Sequence, residues 1–264
     1  MKMNEKWVVI TGASSGIGKA LAFEFANGGF NLLLTGRDEL RLVEIANECS
    51  RKHQVATQVI ASDLSTAEGL DNLIATLSDQ PNRYEVLVNN AGFSIHGKFG
   101  SSDIEETHKL LNVQITASVR LTHALLPAMV ARGSGRILNV ASVYSFSPVP
   151  FQSIYSASKA FLFSFSESLR VELQGTGVTV TAFCPGTTQT ELRVRAGIAE
   201  RNKTSGMTAA AVARIAYVGT LRGSHLVVPG LINRFFVCLI RHLPVGTVPS
   251  LVRVINQWRG QNQK

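Results

Sequence analysis

Short apolar runs alternate with longer amphipathic stretches along this 264-residue chain. The runs fall near 7–11, 31–35, 55–61, 85–89, 135–141, 178–184 and 225–228. They are nearly continuous rather than alternating, as in strands buried on both faces. Between them, stretches near 16–28, 38–52, 67–79, 103–131, 153–174 and 208–221 repeat apolar residues at helical spacing. Connections are short, and no repeat, linker or low-complexity segment divides the chain. The pattern predicts an α/β fold, a parallel sheet covered by helices on both faces. Pro127 lies inside 103–131 and is expected to bend or end that helix. Beyond 230, residues 231–243 form a strongly apolar helix candidate with Arg234 and Arg241 seven apart. A second candidate, 249–259, carries Leu251, Val252, Val254, Ile255 and Trp258.

Composition narrows the class. Cys49, Cys184 and Cys238 are too scattered for a disulfide framework or a zinc site, and read as small core residues of a reduced, cytoplasmic protein. The six histidines lack metal-ligand spacing, and no metal is expected. The first residues run directly into a strand, leaving no room for a signal peptide, and no apolar run is long enough to span a bilayer. The net charge of +8 is uneven: 193–264 carry eleven Lys/Arg against one acid, Glu200. That segment is either a solvated basic surface or a rim that attracts an anionic substrate, carrier or membrane. No nucleic-acid-binding motif accompanies it.

Two local patterns carry chemistry. Gly12-Ala13-Ser14-Ser15-Gly16-Ile17-Gly18 sits between the first strand and a helix. Glycines permit a tight turn and close backbone approach, and a helix N-terminus attracts phosphate. Tyr155 and Lys159 are four apart on a predicted helix, with Ser142 upstream. That spacing puts phenol and ammonium on one face, and the cation is expected to lower the tyrosine pKa toward the working pH. Such a phenol exchanges protons with a carbonyl or alcohol oxygen, and Ser142 can hold that oxygen. Alone, Tyr-x-x-x-Lys is a common surface pattern; its company makes it informative.

Thr11 to Gly18, Asn89-Asn90-Ala91-Gly92, Asn112, Ser142, Tyr155, Lys159 and Pro185-Gly186 occur in order and together resemble the motif set of the short-chain dehydrogenase/reductases. The resemblance covers roughly 6–230. It implies a single Rossmann-like doubly wound sheet of seven strands, ordered 3-2-1-4-5-6-7. Residues 1–230 would form the dinucleotide-binding and catalytic domain, and 231–264 a helical extension of it. It further implies catalytic roles for Asn112, Ser142, Tyr155 and Lys159. Tyr155 is the acid/base, and Lys159 also binds the nicotinamide ribose. Asn112 shapes the fourth helix and holds a water in the proton path. Gly12, Ser14, Ser15, Gly16, Ile17 and Gly18 would cradle the dinucleotide. Asp63 and Leu64 would sit near adenine, with Asn90, Ala91 and Gly92 along the cofactor. Pro185, Gly186, Thr188 and Thr190 would lie at the nicotinamide end. As sequence alone, Asp63 is equally a helix cap, and Asn112 a buried polar residue satisfied by backbone.

The second strand ends Gly36-Arg37-Asp38. An acid at position 36 would favour NAD, whereas Arg37 suits a 2′-phosphate, so NADP is expected. The alternative is that Arg37 pairs with Glu39 or Glu44. Relatives carry a mobile lid matching 187–207, here holding Arg193, Arg195, Arg201 and Lys203. Facing loops 93–99 and 143–151 offer Phe93, Ile95, Tyr144, Phe146, Pro148, Pro150 and Phe151. An apolar pocket under a basic rim suits a hydrophobic or lipid-like carbonyl. Helices 103–131 and 153–174, with Phe161, Phe163 and Phe165, are expected to pair into a homodimer or homotetramer. Two other functions fit the same fold: a non-catalytic NADP-binding regulator, and a peripheral membrane or anionic-surface binder using 231–243.

Overall fold

The computed structural model describes residues 6–190, 206–243, 246–250 and 252. In chain order the elements are β1 (Trp7–Thr11), α1 (Gly16–Asn27), β2 (Asn31–Gly36), α2 (Glu39–His53), β3 (Thr57–Ala61), α3 (Ala67–Asp79), β4 (Tyr84–Asn89), α4 (Ile104–Leu111), α5 (Ala117–Arg132), β5 (Gly135–Val140), α6 (Ser153–Glu172), β6 (Val178–Phe183), β7 (Thr188–Gln189), β8 (Met207–Thr208), α7 (Ala209–Leu221), β9 (Leu226–Val227) and α8 (Leu231–His242). Seven strands form one sheet in the order β3-β2-β1-β4-β5-β6-β9, and every pairing is parallel. This is the doubly wound arrangement expected, with its switch point between β1 and β4.

The buried strands split their side chains between two helical layers. Val8, Ile10, Leu32 and Leu34 pack with Leu21 and Phe25 of α1 on one face. Val9, Leu33 and Leu87 pack with Leu73 of α3 and Leu121 and Leu125 of α5 on the other. Successive strand residues point to opposite faces, so a continuously apolar strand fills both layers. Side-chain caps fix helix starts beside the sheet's carboxyl edge. Asp38 accepts from Arg41 N at 3.2 Å to open α2, and Thr66 from Gly69 N at 3.1 Å to open α3.

The helix expected over 103–131 is interrupted, but not at Pro127. A π turn over Asn112–Thr116 separates α4 from α5, which continues through Pro127 to Arg132. Its end is set by Gly133, whose φ of 68° lets its N–H reach the carbonyls of Met129 and Val130.

At the far edge, α8 packs one face inward. Val237 joins Val143, Leu162 and Val228, while Ile240 joins Val149, Val248 and Val252. The helix candidate over 249–259 lies largely outside the described residues. So does 191–205, the bulk of the expected lid with its four basic residues. The ends of that segment are tied by β7 pairing with β8. Cys49 and Cys184 are buried, but Cys238, expected in the core, is exposed on α8.

Candidate active site

The switch point is closed by a short hydrogen-bond zipper. Thr11 Oγ1 donates to Val88 O at 3.1 Å and accepts from Asn90 N at 2.9 Å and Ala91 N at 3.0 Å. The Asn90 amide donates back to Thr11 O at 2.8 Å and Gly12 O at 3.2 Å. Gly12 has φ 64°, and a Cβ there would lie 2.8 Å from Ala91 Cα. A Cβ on Gly18 would strike Gly12 O and the Asn90 amide. These glycines let β1, α1 and the loop after β4 approach as one unit.

The helix N-terminus above this zipper is open. Ser15 is extended (φ −159°, ψ 174°) and its side chain caps nothing, so the first-turn N–H groups of α1 face outward without a side-chain acceptor. Ser14 Oγ lies beside the end of β2, 3.5 Å from where a Gly36 Cβ would sit. Ile17 is half-buried against the core. Thr190 lies over Gly16, its methyl 3.3 Å from a Cβ placed there. An uncapped helix start bordered by glycines fits the pyrophosphate of a dinucleotide.

Arg37 is exposed and has no hydrogen bond or ion pair among the described residues. Asp38 is taken by Arg41 at 3.2 Å, and neither Glu39 nor Glu44 pairs with Arg37. Its charge reaches Asp63. Burial opposes ionisation of that carboxyl, but hydrogen bonds from Ser65 N and Oγ, with the charges of Arg37 and Lys109, hold it below the usual range. Asp63 therefore braces the turn before α3, whose cap is Thr66. Leu64 is buried in the core with Leu70 and Leu73.

Ser142, Tyr155 and Lys159 converge past the ends of β5 and β6. Ser142 caps a short turn over Val143–Phe146, accepting from Tyr144 N at 3.2 Å. Lys159 is buried; its Nζ donates to Val140 O at 2.8 Å and lies 5.7 Å from the Tyr155 ring centroid. The expected fall in the tyrosine pKa does not occur. Burial pushes the Tyr155 phenol up to about 12, the neighbouring Tyr144 adds to this, and the Ser142 hydroxyl opposes it. Burial also drives Lys159 down to about 8. An ammonium that is itself desolvated and turned to a carbonyl does not overcome the phenol's burial.

Asn112 opens the π turn, which packs against α6. It is exposed, and its amide donates to Ser65 O at 3.0 Å, tying the π turn to the loop before α3. The side chain that the π turn buries is Gln114, which the sequence did not single out. Its Nε2 donates to Phe93 O at 2.9 Å, it packs against Gly92, and its buried Oε1 has no partner among the described residues. π turns recur at functional sites, but nothing in a helical pattern announces one.

The two loops expected to face the lid touch each other, while the bulk of the lid lies outside the described residues. Gly97 N donates to Phe151 O at 2.8 Å, and Phe151 holds φ 67°, a conformation disfavoured for a bulky residue. Tyr144 meets Tyr155 edge-on at 6.4 Å. Phe146 instead packs on Phe163 at 4.6 Å, in the wall that also holds Phe236 of α8. Pro185 O accepts from Val143 N at 3.0 Å, and Gly186 lies against Asn233 of α8, so the extension touches the loop that follows β6. Thr188 is buried and donates to Gly186 O at 3.1 Å.

A doubly wound sheet with an open phosphate cradle and a Ser-Tyr-Lys cluster defines a nicotinamide-dependent oxidoreductase. Residues 6–201 match the short chain dehydrogenase family, and the chain belongs to it. It is 41% identical over 193 residues to sulfoacetaldehyde reductase 2 of Chromohalobacter salexigens, covering 72% of this chain and 76% of that one. It is 39% identical over 186 residues to the very-long-chain 3-oxoacyl-CoA reductase of Meyerozyma guilliermondii, covering 66% of this chain and 54% of that one. A short-chain dehydrogenase from Sphingobium yanoikuyae in complex with NADPH superposes with a TM-score of 0.81 at 32% identity, covering 98% of this chain and 96% of that one.

Proposed function

We propose that the protein is an NADPH-dependent reductase of carbonyls to secondary alcohols, with Tyr155 as proton donor. The observation that carries this is the convergence of Ser142, Tyr155 and Lys159 beside the cradle. When bound, the nicotinamide supplies the hydride. Ser142 holds and polarises the carbonyl oxygen. Tyr155, its phenol raised to about 12, stays protonated through the neutral range and gives its proton to that oxygen. Lys159 keeps its charge below about pH 8 and holds the ribose hydroxyls beside the phenol. Asn112 acts at one remove, fixing the π turn against the loop that carries Asp63.

NADP is favoured over NAD by Arg37, whose fork is free for a 2′-phosphate. Gly36 supports this. A Cβ there would meet nothing closer than 3.5 Å, so the fold tolerates an acid that the chain does not carry. For the substrate we favour a hydrophobic carbonyl, on the strength of the Tyr144 wall and its aromatic backing. The names of the two curated relatives imply carbonyls of unlike size, and both carry an anionic group. Absorbance of NADPH followed against 3-oxo acyl thioesters of rising length and against sulfoacetaldehyde decides the class. A rate that rises with chain length supports the proposal, and a preference for the small sulfonate overturns the hydrophobic part. A regulator without turnover would oxidise NADPH with none of them.

Pairing of subunits through α5 and α6 is part of the same proposal. Phe161 stacks on Phe165 at 5.9 Å and stays partly exposed, with Val171 exposed on the same helix, whereas Phe163 turns inward. Light scattering should give a multiple of 28.5 kDa; a monomer at micromolar concentration removes the dimer.

A further inference from the structure

A large apolar side chain alone at the surface is ordinary, but a contiguous row of them marks a contact. Leu231, Ile232, Phe235 and Leu239 of α8 are 80, 83, 71 and 46% exposed. Their spacing places them on one helical face, opposite the face that buries Val237 and Ile240. Beside the row lies a cavity of about 720 Å³ between α7 and α8, floored by Val218, Leu226, Val228 and Val237. Its rim carries Arg214 and Arg222 from α7 and Arg234 and Arg241 from α8.

Among the described residues these charges are uncompensated. Residues 206–243 contain no Asp or Glu. Arg214, Arg222 and Arg241 make no hydrogen bond or ion pair among the described residues. Arg234 uses its Nε on Val228 O at 2.9 Å, which leaves the ends of its fork free. Glu167, which pairs with His225 on the cavity wall at 3.2 Å, is shared with Arg170 at 3.5 Å.

We infer that the outer face of α8 and the arginine-rimmed cavity beside it dock this enzyme on an anionic phospholipid bilayer. The apolar row enters the acyl boundary, and the four arginines take lipid phosphates in the cavity and along its rim. Charge selects this occupant. A second copy meeting the same face across a two-fold axis would bring four more arginines against these four. No described helix is long and apolar enough to cross a membrane, so α8 lies in the interface plane. The inference is independent of which carbonyl the active site takes.

The test is co-sedimentation of the full chain with vesicles of phosphatidylcholine alone and of phosphatidylcholine mixed with phosphatidylglycerol. Binding is expected to the mixed vesicles only, and to fall steeply as salt rises. Arg214→Gln with Arg222→Gln should weaken partitioning by about twenty-five-fold, roughly fivefold per charge. Ile232→Asp with Phe235→Asp should abolish it while leaving the thermal midpoint and NADPH affinity at parent values, since both side chains are exposed. No sedimentation with mixed vesicles at low salt overturns the inference, and so does equal binding to phosphatidylcholine alone. If the Asp variants instead break a dimer seen by light scattering and no vesicle binds the parent, the face is a subunit contact.

Discussion

The proposed nucleotide side of the molecule and the proposed substrate side are built differently. Around β1, β2 and β4 the cradle is made of backbone and short polar side chains: Gly12 and Gly18 for close approach, Thr11 and Asn90 for the zipper. Around β6, β9 and α8 the wall is made of bulky apolar side chains from several distant segments, among them Phe146, Phe163, Phe236 and Ile240. The first kind of site tolerates almost no change in residue type, and the second tolerates change as long as volume is kept. Ser142, Tyr155 and Lys159 stand where the two meet.

That contrast breaks most sharply at the junction. Tyr155→Phe is expected to lower turnover by roughly 10²–10⁴ while NADPH affinity stays near the parent value, because the ring's packing survives. Stopped-flow turnover beside fluorescence titration of NADPH checks it, and a rate within a few-fold of the parent would refute the proton-donor role. On the substrate side, Ile240→Ala is expected to cost about 2–5 kcal/mol of stability through a cavity in the α8 packing. Chemical denaturation measures that loss, and NADPH affinity of the folded fraction should not move. On the nucleotide side, Arg37→Ala should cost about 1.5–3 kcal/mol of NADPH binding and almost none of NADH binding. Equal losses for both cofactors would make Arg37 structural.

How much of each side was legible follows from the same difference. Glycine at 12, 16 and 18 and asparagine at 90 are demanded by residue type, so the strand-to-helix turn was open to reading, and the strand order followed from the family resemblance. That Ser142, Tyr155 and Lys159 would be neighbours was legible for the same reason. The direction of the Tyr155 shift was not, because spacing gives the Lys159 neighbour but not the burial that outweighs it. Nor was the π turn, so the buried Gln114 went unnoticed. The inward face of α8 was hidden because its partners, Val143 and Val149, lie about ninety residues earlier.

The smallest expected effect is on stability against pH. Lys159 falls from 10.5 in the unfolded chain to about 8 in the folded one. Between those values the unfolded chain binds the extra proton, so this group raises stability as pH increases through that window. Tyr155 acts only above its ordinary 10.0, where the folded chain holds the proton longer and stability falls with pH. Thermal melts from pH 7 to 10 should therefore show the parent gaining on Lys159→Met as pH rises. Parallel curves would show that Lys159 keeps its charge when buried.

The zipper at the switch point also sets an order of events in time. Thr11 and Asn90 are 79 positions apart, and the strands they join are neighbours only once β2 and β3 have been laid to one side. Contacts across so long a loop form after local ones, because the chain must give up its freedom before they return any stabilisation. The phosphate cradle is thus among the last parts of the N-terminal half to mature. Recovery of NADPH binding should therefore lag behind recovery of helical signal during refolding.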